Sequence, residues 1–279
     1  MSAASRRVPS IGVRHDRGPL TRERALAEEV PIAFAYHGCS YAVMMGTPDN
    51  LTDFAYGFSL TEGVIASPAD IEELRVRPAD GGLVLNMLLS AERRDAFWER
   101  RRYLAGPVGC GLCGLDSVAQ ALRPCRTVTT DLQVSPGDVA EAVSALPRQQ
   151  ALNRETRAAH AAAFWRKGAG LLEIREDVGR HNALDKLIGA LLRQGTNLAD
   201  GMIVLTSRIS VELVQKAAAA GAPLLVAVSA PTALAARTAE AAGITLVGVA
   251  RGDGFEIFTH PRRLALDTLG SCKPAVRVA

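Results

Sequence analysis

The sequence predicts a mixed α/β protein in two parts, and three observations carry that prediction. In the second half, uniformly apolar runs (MIVLTS, PLLVAVS, ITLVGVA) alternate with helical segments. Such alternation marks a sheet covered on both faces and mostly parallel. In the first half, shorter runs around turns, with two helical stretches, mark a smaller α/β unit. The third observation is size: 279 residues, 48% hydrophobic and 22% charged, suffice for one large or two ordinary globular domains. We place the smaller unit at residues 1–125 and the larger at 126–279.

The elements follow in order. About the first ten residues are expected to be disordered, as an untethered polar terminus. Residues 30–46 read as two strands around the turn His37-Gly38, with His37 and Cys39 as turn and strand-edge residues. A helix follows, with Thr47 as cap, Pro48 at the first helical position, and Leu51, Phe54, Ala55 and Phe58 as an apolar stripe. Those aromatics read as core. Strands are expected at 71–76 and 83–89, and Ser90 caps a charged helix from Ala91 to about Ala105. Leu115–Val134, which contains Cys125, reads as a connection.

Ser135-Pro136 then opens a helix to Leu146, and AHAAAFW, RKGAG and LLEIRED form a hairpin. Helices are predicted from about Asn182 to Arg193, from about Ile209 to Ala220 with Gly221 ending it, and from Pro231 to Gly243. FEIFTH is the last strand. Three polar clusters sit at ends of these elements: Arg175–His181, Thr206–Ser210 and Arg251–Gly254. Strand-end loops and helix N-termini are where open α/β sheets bind anions, and arginine offers a fork matched to phosphate. One cluster alone would be capping and surface ion pairs; three in one layer indicate a phosphate or nucleotide pocket. Asp177 and Asp253 are acceptors of the kind a guanine edge needs, and the sequence leaves open whether they serve one.

The stretch with the most chemistry is Gly106-Pro107-Val108-Gly109-Cys110-Gly111-Leu112-Cys113-Gly114. Glycine at this density opposes regular structure, so two thiols are expected on a mobile, exposed loop. Arg100, Arg101 and Arg102 precede it, and positive charge favours the nucleophilic thiolate. A zinc half-site would need a second ligand pair, but Cys39, Cys125 and Cys272 are isolated. A thioredoxin-like pair should follow a strand and open a helix; this one follows a helix. Two thiols without a role remain the alternative. Five cysteines, odd and sparse, suit a reducing cytoplasm. No apolar run is long enough to span a membrane, and the basic start lacks an apolar h-region, so no signal peptide is expected. A net charge of +3 is too small to argue nucleic acid but allows anionic small molecules at local basic sites.

Over about residues 28–265 the chain resembles the FdhD/NarQ family of formate dehydrogenase accessory sulfurtransferases. The resemblance rests on EEVPIAFAYHG, AVMMGTPDNLTDFAYGFSLTEGVI, GPVGCGLCG, HAAAFW, EDVGRHNALDKLIGALL, TSRISVELVQKAA, LVAVSAPTALA and LVGVARGDGFEIFTHP, in that order. It implies a sulfur carrier that takes sulfur from a cysteine desulfurase as a cysteine persulfide. The sulfur goes to molybdenum bis(molybdopterin guanine dinucleotide), the bound substrate, before that cofactor enters formate dehydrogenase. Guanine nucleotides would mimic part of it. The resemblance makes Cys110 the persulfide-forming residue and Cys113 an accessory one. It makes Val249, Ala250, Arg251, Gly252, Asp253 and Gly254 the cofactor-contacting segment, chiefly through backbone and glycine room. It also implies a homodimer, a cytoplasmic location, and a cytidine-deaminase-like fold for the C-terminal layered sheet.

Deamination itself does not fit the residues. A zinc deaminase needs H-x-E and P-C-x-x-C at two helix starts; here these read His181-Asn182-Ala183 and Ser207-Arg208-Ile209-Ser210. The same pocket could hold guanine, lined by Arg180 and His181, although His181 is equally readable as a helix cap. A non-catalytic chaperone that hands the cofactor on whole would keep the pocket and not need Cys110.

Overall fold

Strand pairing divides the protein into three sheets in the computed structural model, which describes residues 4–104 and 125–266. Among the described residues, strands β1 (Ser5–Arg14) and β2 (Arg17–Ala27) pair only with each other, antiparallel, from Ser5 opposite Ala27 to Arg14 opposite Arg17. The expected disorder of the first ten residues is therefore corrected. Ser5–Arg14 is extended because β2 supplies hydrogen-bond partners along its length, which local composition does not reveal.

The second sheet has four strands in the order β4-β3-β6-β5: β3 is Val30–Tyr36, β4 Cys39–Gly46, β5 Ile71–Ala79 and β6 Gly82–Leu89. His37 (φ 51°) and Gly38 (φ 79°) turn the β3–β4 hairpin, the two positive φ angles that match the twist of its strands. Helix α1 (Leu51–Thr61) covers one face of this sheet, where Phe54 and Phe58 pack against Phe34. Helix α2 (Ala91–Leu104) adds Phe97 to the same core. The predicted Thr47 cap is not formed. Helix α1 starts three residues after Pro48, on Asn50 in the left-handed region, because Thr47 is engaged elsewhere.

The third sheet has six strands in the order β12-β11-β10-β9-β7-β8. Its strands are β7 (His160–Arg166), β8 (Gly170–Asp177), β9 (Met202–Leu205), β10 (Leu224–Ala227), β11 (Thr245–Arg251) and β12 (Gly254–Thr259). Only the pairings of β10 with β9 and β11 are parallel, so the expectation of a mostly parallel sheet is corrected to a parallel centre with antiparallel edges. The connections explain this. Parallel neighbours need a crossover, supplied by α6 (Val211–Ala219) and α7 (Ala233–Ala242), whereas β7–β8 and β11–β12 are joined by short turns.

Both faces of the six-stranded sheet are covered. Helix α3 (Pro136–Gln149) has Ser135 as its cap, as predicted, with Asp138 completing a capping box, and it packs Val139, Ala142 and Leu146 on one face. The short α4 (Ala151–Thr156) follows it. Helix α5 (Arg180–Arg193), α6 and α7 cover the other face through Leu184, Leu187, Leu213 and Ala235. Helix α7 begins at Ala233 with Thr232 as cap, two residues past the predicted start at Pro231, whose backbone instead bridges to Ile209.

The four- and six-stranded sheets meet where α1 crosses α5. A Cβ on Gly57 would stand 1.7 Å from the Asp185 carbonyl oxygen, and one on Gly189 would stand 1.8 Å from that of Asp53. Neither helix can carry a side chain there. Gly189→Ala must therefore push the helices apart and is expected to cost about 2–4 kcal/mol in urea unfolding. Gly137→Ala, whose added Cβ meets only Ser135 Oγ at 3.6 Å, serves as a near-neutral control. A Gly189→Ala protein as stable as that control would refute this account of the crossing.

Candidate functional site

Strands β8, β9, β10 and β11 all end on the same side of the sheet, since β7 starts there at His160 opposite Asp177 and runs against both its neighbours. The three polar clusters predicted from sequence fall on this side. The structure divides their residues into those that hold the rim and those that remain to act on it.

Asp177 belongs to the first group. It is fully buried, pairs with Lys186 Nζ at 2.6 Å, and accepts from the backbone N–H groups of Thr47 (3.0 Å) and Gly179 (2.7 Å) and from Asn182 Nδ2 (2.9 Å). No lone pair is left in a position to read a guanine edge, so the structure decides that open question against Asp177. Lys186 also donates to the Thr47 carbonyl at 2.9 Å. Burial pulls its ammonium below the usual lysine range, and Asp177 opposes that pull. Arg175 is likewise structural: it pairs with Asp53 at 2.8 Å and with Glu173. Glu176 accepts from the N–H groups of Leu152 and Asn153, fixing the start of α4. The sequence did not reveal these roles, because a deciding partner of each residue lies far along the chain: Thr47 for Asp177, Asp53 for Arg175, and Leu152 and Asn153 for Glu176.

Arg180 and His181, at the start of α5, are in the second group. The Arg180 Nε is buried and has no hydrogen-bond partner among the described residues. His181 faces the second cluster, with Nε2 at 3.4 Å from Ser210 Oγ and 3.9 Å from Glu212 Oε2. It is therefore a bridge between two helix starts rather than a cap. Burial, and next the charge of Arg180, lower its pKa to about 4, so the imidazole is neutral at pH 7. His160, across from Asp177, is lowered for the same two reasons. In the second cluster Thr206 Oγ1 accepts from the Ala161 N–H at 2.9 Å, and Ser207 donates to the Arg208 carbonyl.

The rim continues from there to the predicted cofactor segment. Ile209 pairs with Pro231, and the Val249 N–H donates to the Ser229 carbonyl at 3.2 Å. Val249 holds φ 52°, a conformation that a β-branched residue rarely adopts and that is concentrated at functional sites. Gly248 permits this close approach: a Cβ there would fall 2.8 Å from Pro231 Cδ. Ala250 is buried, whereas Arg251, Gly252, Asp253 and Gly254 form an exposed turn, with Gly254 at φ 148°. A Cβ on Gly252 would meet nothing within 4 Å. The Ser229–Pro231 loop was missed as part of the rim, though it lies in a sequence stretch singled out above. Nothing in the sequence signals the backbone of Val249.

Cys110, Cys113, Cys272 and the whole stretch 106–114 lie outside the described residues, and so does any geometry between those thiols and the rim. Cys39, at the start of β4, and Cys125, against the helical core, are partly buried. A polar cleft of about 220 Å³ between Thr129–Gln133 and Arg262–Arg263 opens at the opposite end of the sheet, beside Thr245 at the start of β11. Among the described residues no helix is long and apolar enough to cross a membrane.

A family profile, the FdhD/NarQ family, matches residues 27–265. A sulfur carrier protein FdhD from Agrobacterium fabrum is 51% identical over 271 residues, covering 95% of this chain and 98% of the relative. One of the same name from Brucella abortus is 51% identical over 242 residues, covering 86% and 90%. In fold, the chain is similar to the crystal structure of a candidate formate dehydrogenase accessory protein from Desulfotalea psychrophila. That match has a TM-score of 0.75 at 23% identity over 94% of this chain and 99% of the other.

The neutral His181 has a measurable consequence. The unfolded chain protonates this histidine below about pH 6.5, the folded chain only below about 4. Between these values the unfolded state binds more protons, so stability falls as the pH drops through that window. His181→Gln should lose about 1–2 kcal/mol less than the parent between pH 7 and pH 4.5 in urea titrations, allowing for the partial exposure of the ring. Parallel pH profiles for the two proteins would show that the imidazole is not held neutral.

Proposed function

This chain belongs to the FdhD/NarQ family, and from that premise we propose that it is a sulfur carrier acting in formate dehydrogenase maturation. The observation that carries the proposal is the family match across residues 27–265, with relatives named sulfur carrier protein FdhD at about half identity over nearly the whole chain. The chemistry is a persulfide sulfurtransferase reaction at Cys110. Its thiolate attacks the terminal sulfur of a persulfide on a cysteine desulfurase. One S–S bond forms on Cys110, the donor's S–S bond breaks, and the donor leaves as a thiolate, with no net oxidation. Cys113, three residues on, can attack the loaded Cys110; sulfide is released and the two thiols supply its electrons by closing a disulfide. Gly109 and Gly111 flank Cys110 in the sequence, the residue type with which a carrier facing two partners would surround its thiol.

The acceptor in this reading is molybdenum bis(molybdopterin guanine dinucleotide), bound as substrate at the strand-end rim by residues 249–254. The exposed Arg251–Gly254 turn and the open space at Gly252 support it, as does the unpartnered Nε of Arg180. The hairpin, helix, strand, helix, strand order from β7 to β10 supports a deaminase-like ancestry for residues 126–279, with residues 1–125 as the second unit. A cytoplasmic homodimer completes the reading and suits a ligand with two guanosine arms.

Two measurements test it. Mass spectrometry after incubation with a cysteine desulfurase and cysteine should find added sulfur on the peptide spanning residues 103–123. Cys110→Ala should abolish that loading and the activation of formate dehydrogenase, and Cys113→Ala should impair both less. Loading that persists without Cys110, or that maps to Cys39, Cys125 or Cys272, contradicts the assignment, and activation without Cys110 favours a chaperone that passes the cofactor on whole. For the rim, calorimetry with GDP should show binding that Gly252→Trp blocks and Arg251→Ala weakens by about 1–3 kcal/mol. Because Gly252 has open space, the tryptophan reports on ligand approach rather than folding; unaltered GDP affinity would move the pocket elsewhere.

A further inference from the structure

We propose that the β1–β2 ribbon is a docking arm for a protein surface bearing carboxylates around an apolar seam, the surface of the enzyme that receives the sulfur. The identity of that partner rests on the sulfur-carrier reading; the arm itself rests on the structure. A two-stranded ribbon is at best marginally stable alone in water, and this one pairs with no other strand among the described residues. Among the described residues, long-range hydrogen bonds hold it at its foot. Ala4 and Ala25 are buried, Ser5 Oγ donates to Glu155 Oε2 at 3.2 Å, and Arg24 donates to the Thr156 carbonyl at 3.3 Å. From there ten residues of β1 extend about 33 Å. At the far end Ile11, Val13 and Leu20 are 70%, 77% and 69% exposed. Ile11 pairs with Thr21 and Leu20 with Gly12, so these two lie on opposite faces, and the far end of the ribbon carries exposed aliphatic side chains that await cover.

Charge and composition select the kind of cover. Residues 1–27 hold six arginines against Asp16 and Glu23, a surplus of four that exceeds the +3 of the whole chain. The rest of the protein is thus close to neutral, and the positive charge is concentrated on the arm. The segment contains no Phe, Tyr or Trp. It lacks the stacking platform of a single-strand binder and the aromatic anchors of a membrane interface. Arginine around aliphatic residues is the pattern of a protein contact, in which the fork pairs with carboxylates and the apolar centre is buried.

Position selects the partner. The foot rests on α4, whose first N–H groups are held by Glu176, next to Asp177; four residues after Thr156, β7 begins at His160, opposite Asp177. The arm therefore rises from the same end of the sheet as the rim. A protein grasped by the arm is brought to the place where the substrate is proposed to be held, which is what delivery to an acceptor needs.

The test uses the full chain with two double variants, Ile11→Glu/Val13→Glu and Arg14→Glu/Arg22→Glu. Affinity for a purified formate dehydrogenase lacking the sulfurated cofactor is measured at low and moderate salt, beside affinity for a purified cysteine desulfurase, sulfur loading at Cys110, and mass by light scattering. Both variants should bind the formate dehydrogenase at least about tenfold more weakly, the charge-reversed one with a flatter salt dependence. Desulfurase affinity and loading should not change. Unaltered affinity for the formate dehydrogenase overturns the proposal. So does loss of desulfurase binding in its place, a change of oligomeric state showing that the arm holds a second copy, or arm-dependent binding to anionic vesicles. If Cys110 fails to load while the arm variants still lose the formate dehydrogenase, the sulfur-carrier reading fails and the arm stands.

Discussion

The contact between α1 and α5 at Gly57 and Gly189 sets the distance between the two large sheets, and much else follows from it. With no side chain between them, each helix lays its backbone on the other, and each would-be Cβ falls on a carbonyl oxygen. Three carboxylates are thereby enclosed beside the crossing. Asp53 meets Arg175 and Arg193, Asp185 meets Thr61 and Lys216, and Asp177 meets Lys186 and Thr47. Burial pushes the Asp185 carboxyl up, and Lys216 and Thr61 pull against it. Buried pairs of this kind contribute little net stability, but losing one partner strands a charge. They define one arrangement of the two helices rather than many.

That arrangement is what carries order to the rim. The carboxylate of Asp177 receives the backbone of Thr47 from the smaller sheet's side and of Gly179 from its own turn. The turn then delivers Arg180 and His181 to the start of α5, where His181 meets Ser210 of α6. The chain of contacts runs on through Ile209 and Pro231 to Ser229 and Val249. Helix starts and strand ends thus form a continuous edge of backbone donors and polar side chains, in which Glu212 and Asp253 are acidic members beside Arg180, His181 and Arg251. This suits an anionic ligand better than any single cluster would. Asp177, an acid on this edge, is masked by lysine and backbone, which lessens its repulsion of such a ligand.

Local patterns were readable where their causes are local. The His37-Gly38 turn, the Ser135 cap and the aromatic stripe of α1 rest on residues within a few positions of one another, and the structure holds all three. The Thr47 cap was misread because Thr47 and Pro48 satisfy a local rule that a stronger distant demand overrides: Asp177, Val178 and Lys186 all use Thr47. The first ten residues looked like an untethered end because nothing in their composition shows that residues 17–27 return alongside them.

By itself the sequence determined most elements from residue 30 onward and their order, the family, and the thiol pair on its glycine-rich stretch, since these depend on residue types at short spacing. It also placed polar residues at the strand ends, though not their division of labour. Only the tertiary structure decided that Asp177 and Arg175 hold the rim while Arg180 and His181 face it. It alone decided that Val249 takes a left-handed backbone, and that Gly57 and Gly189, 132 positions apart, must both lack a side chain. The reason is physical: desolvation and steric exclusion depend on which atoms share a volume, and chains separated by a hundred residues share one only after the fold has formed.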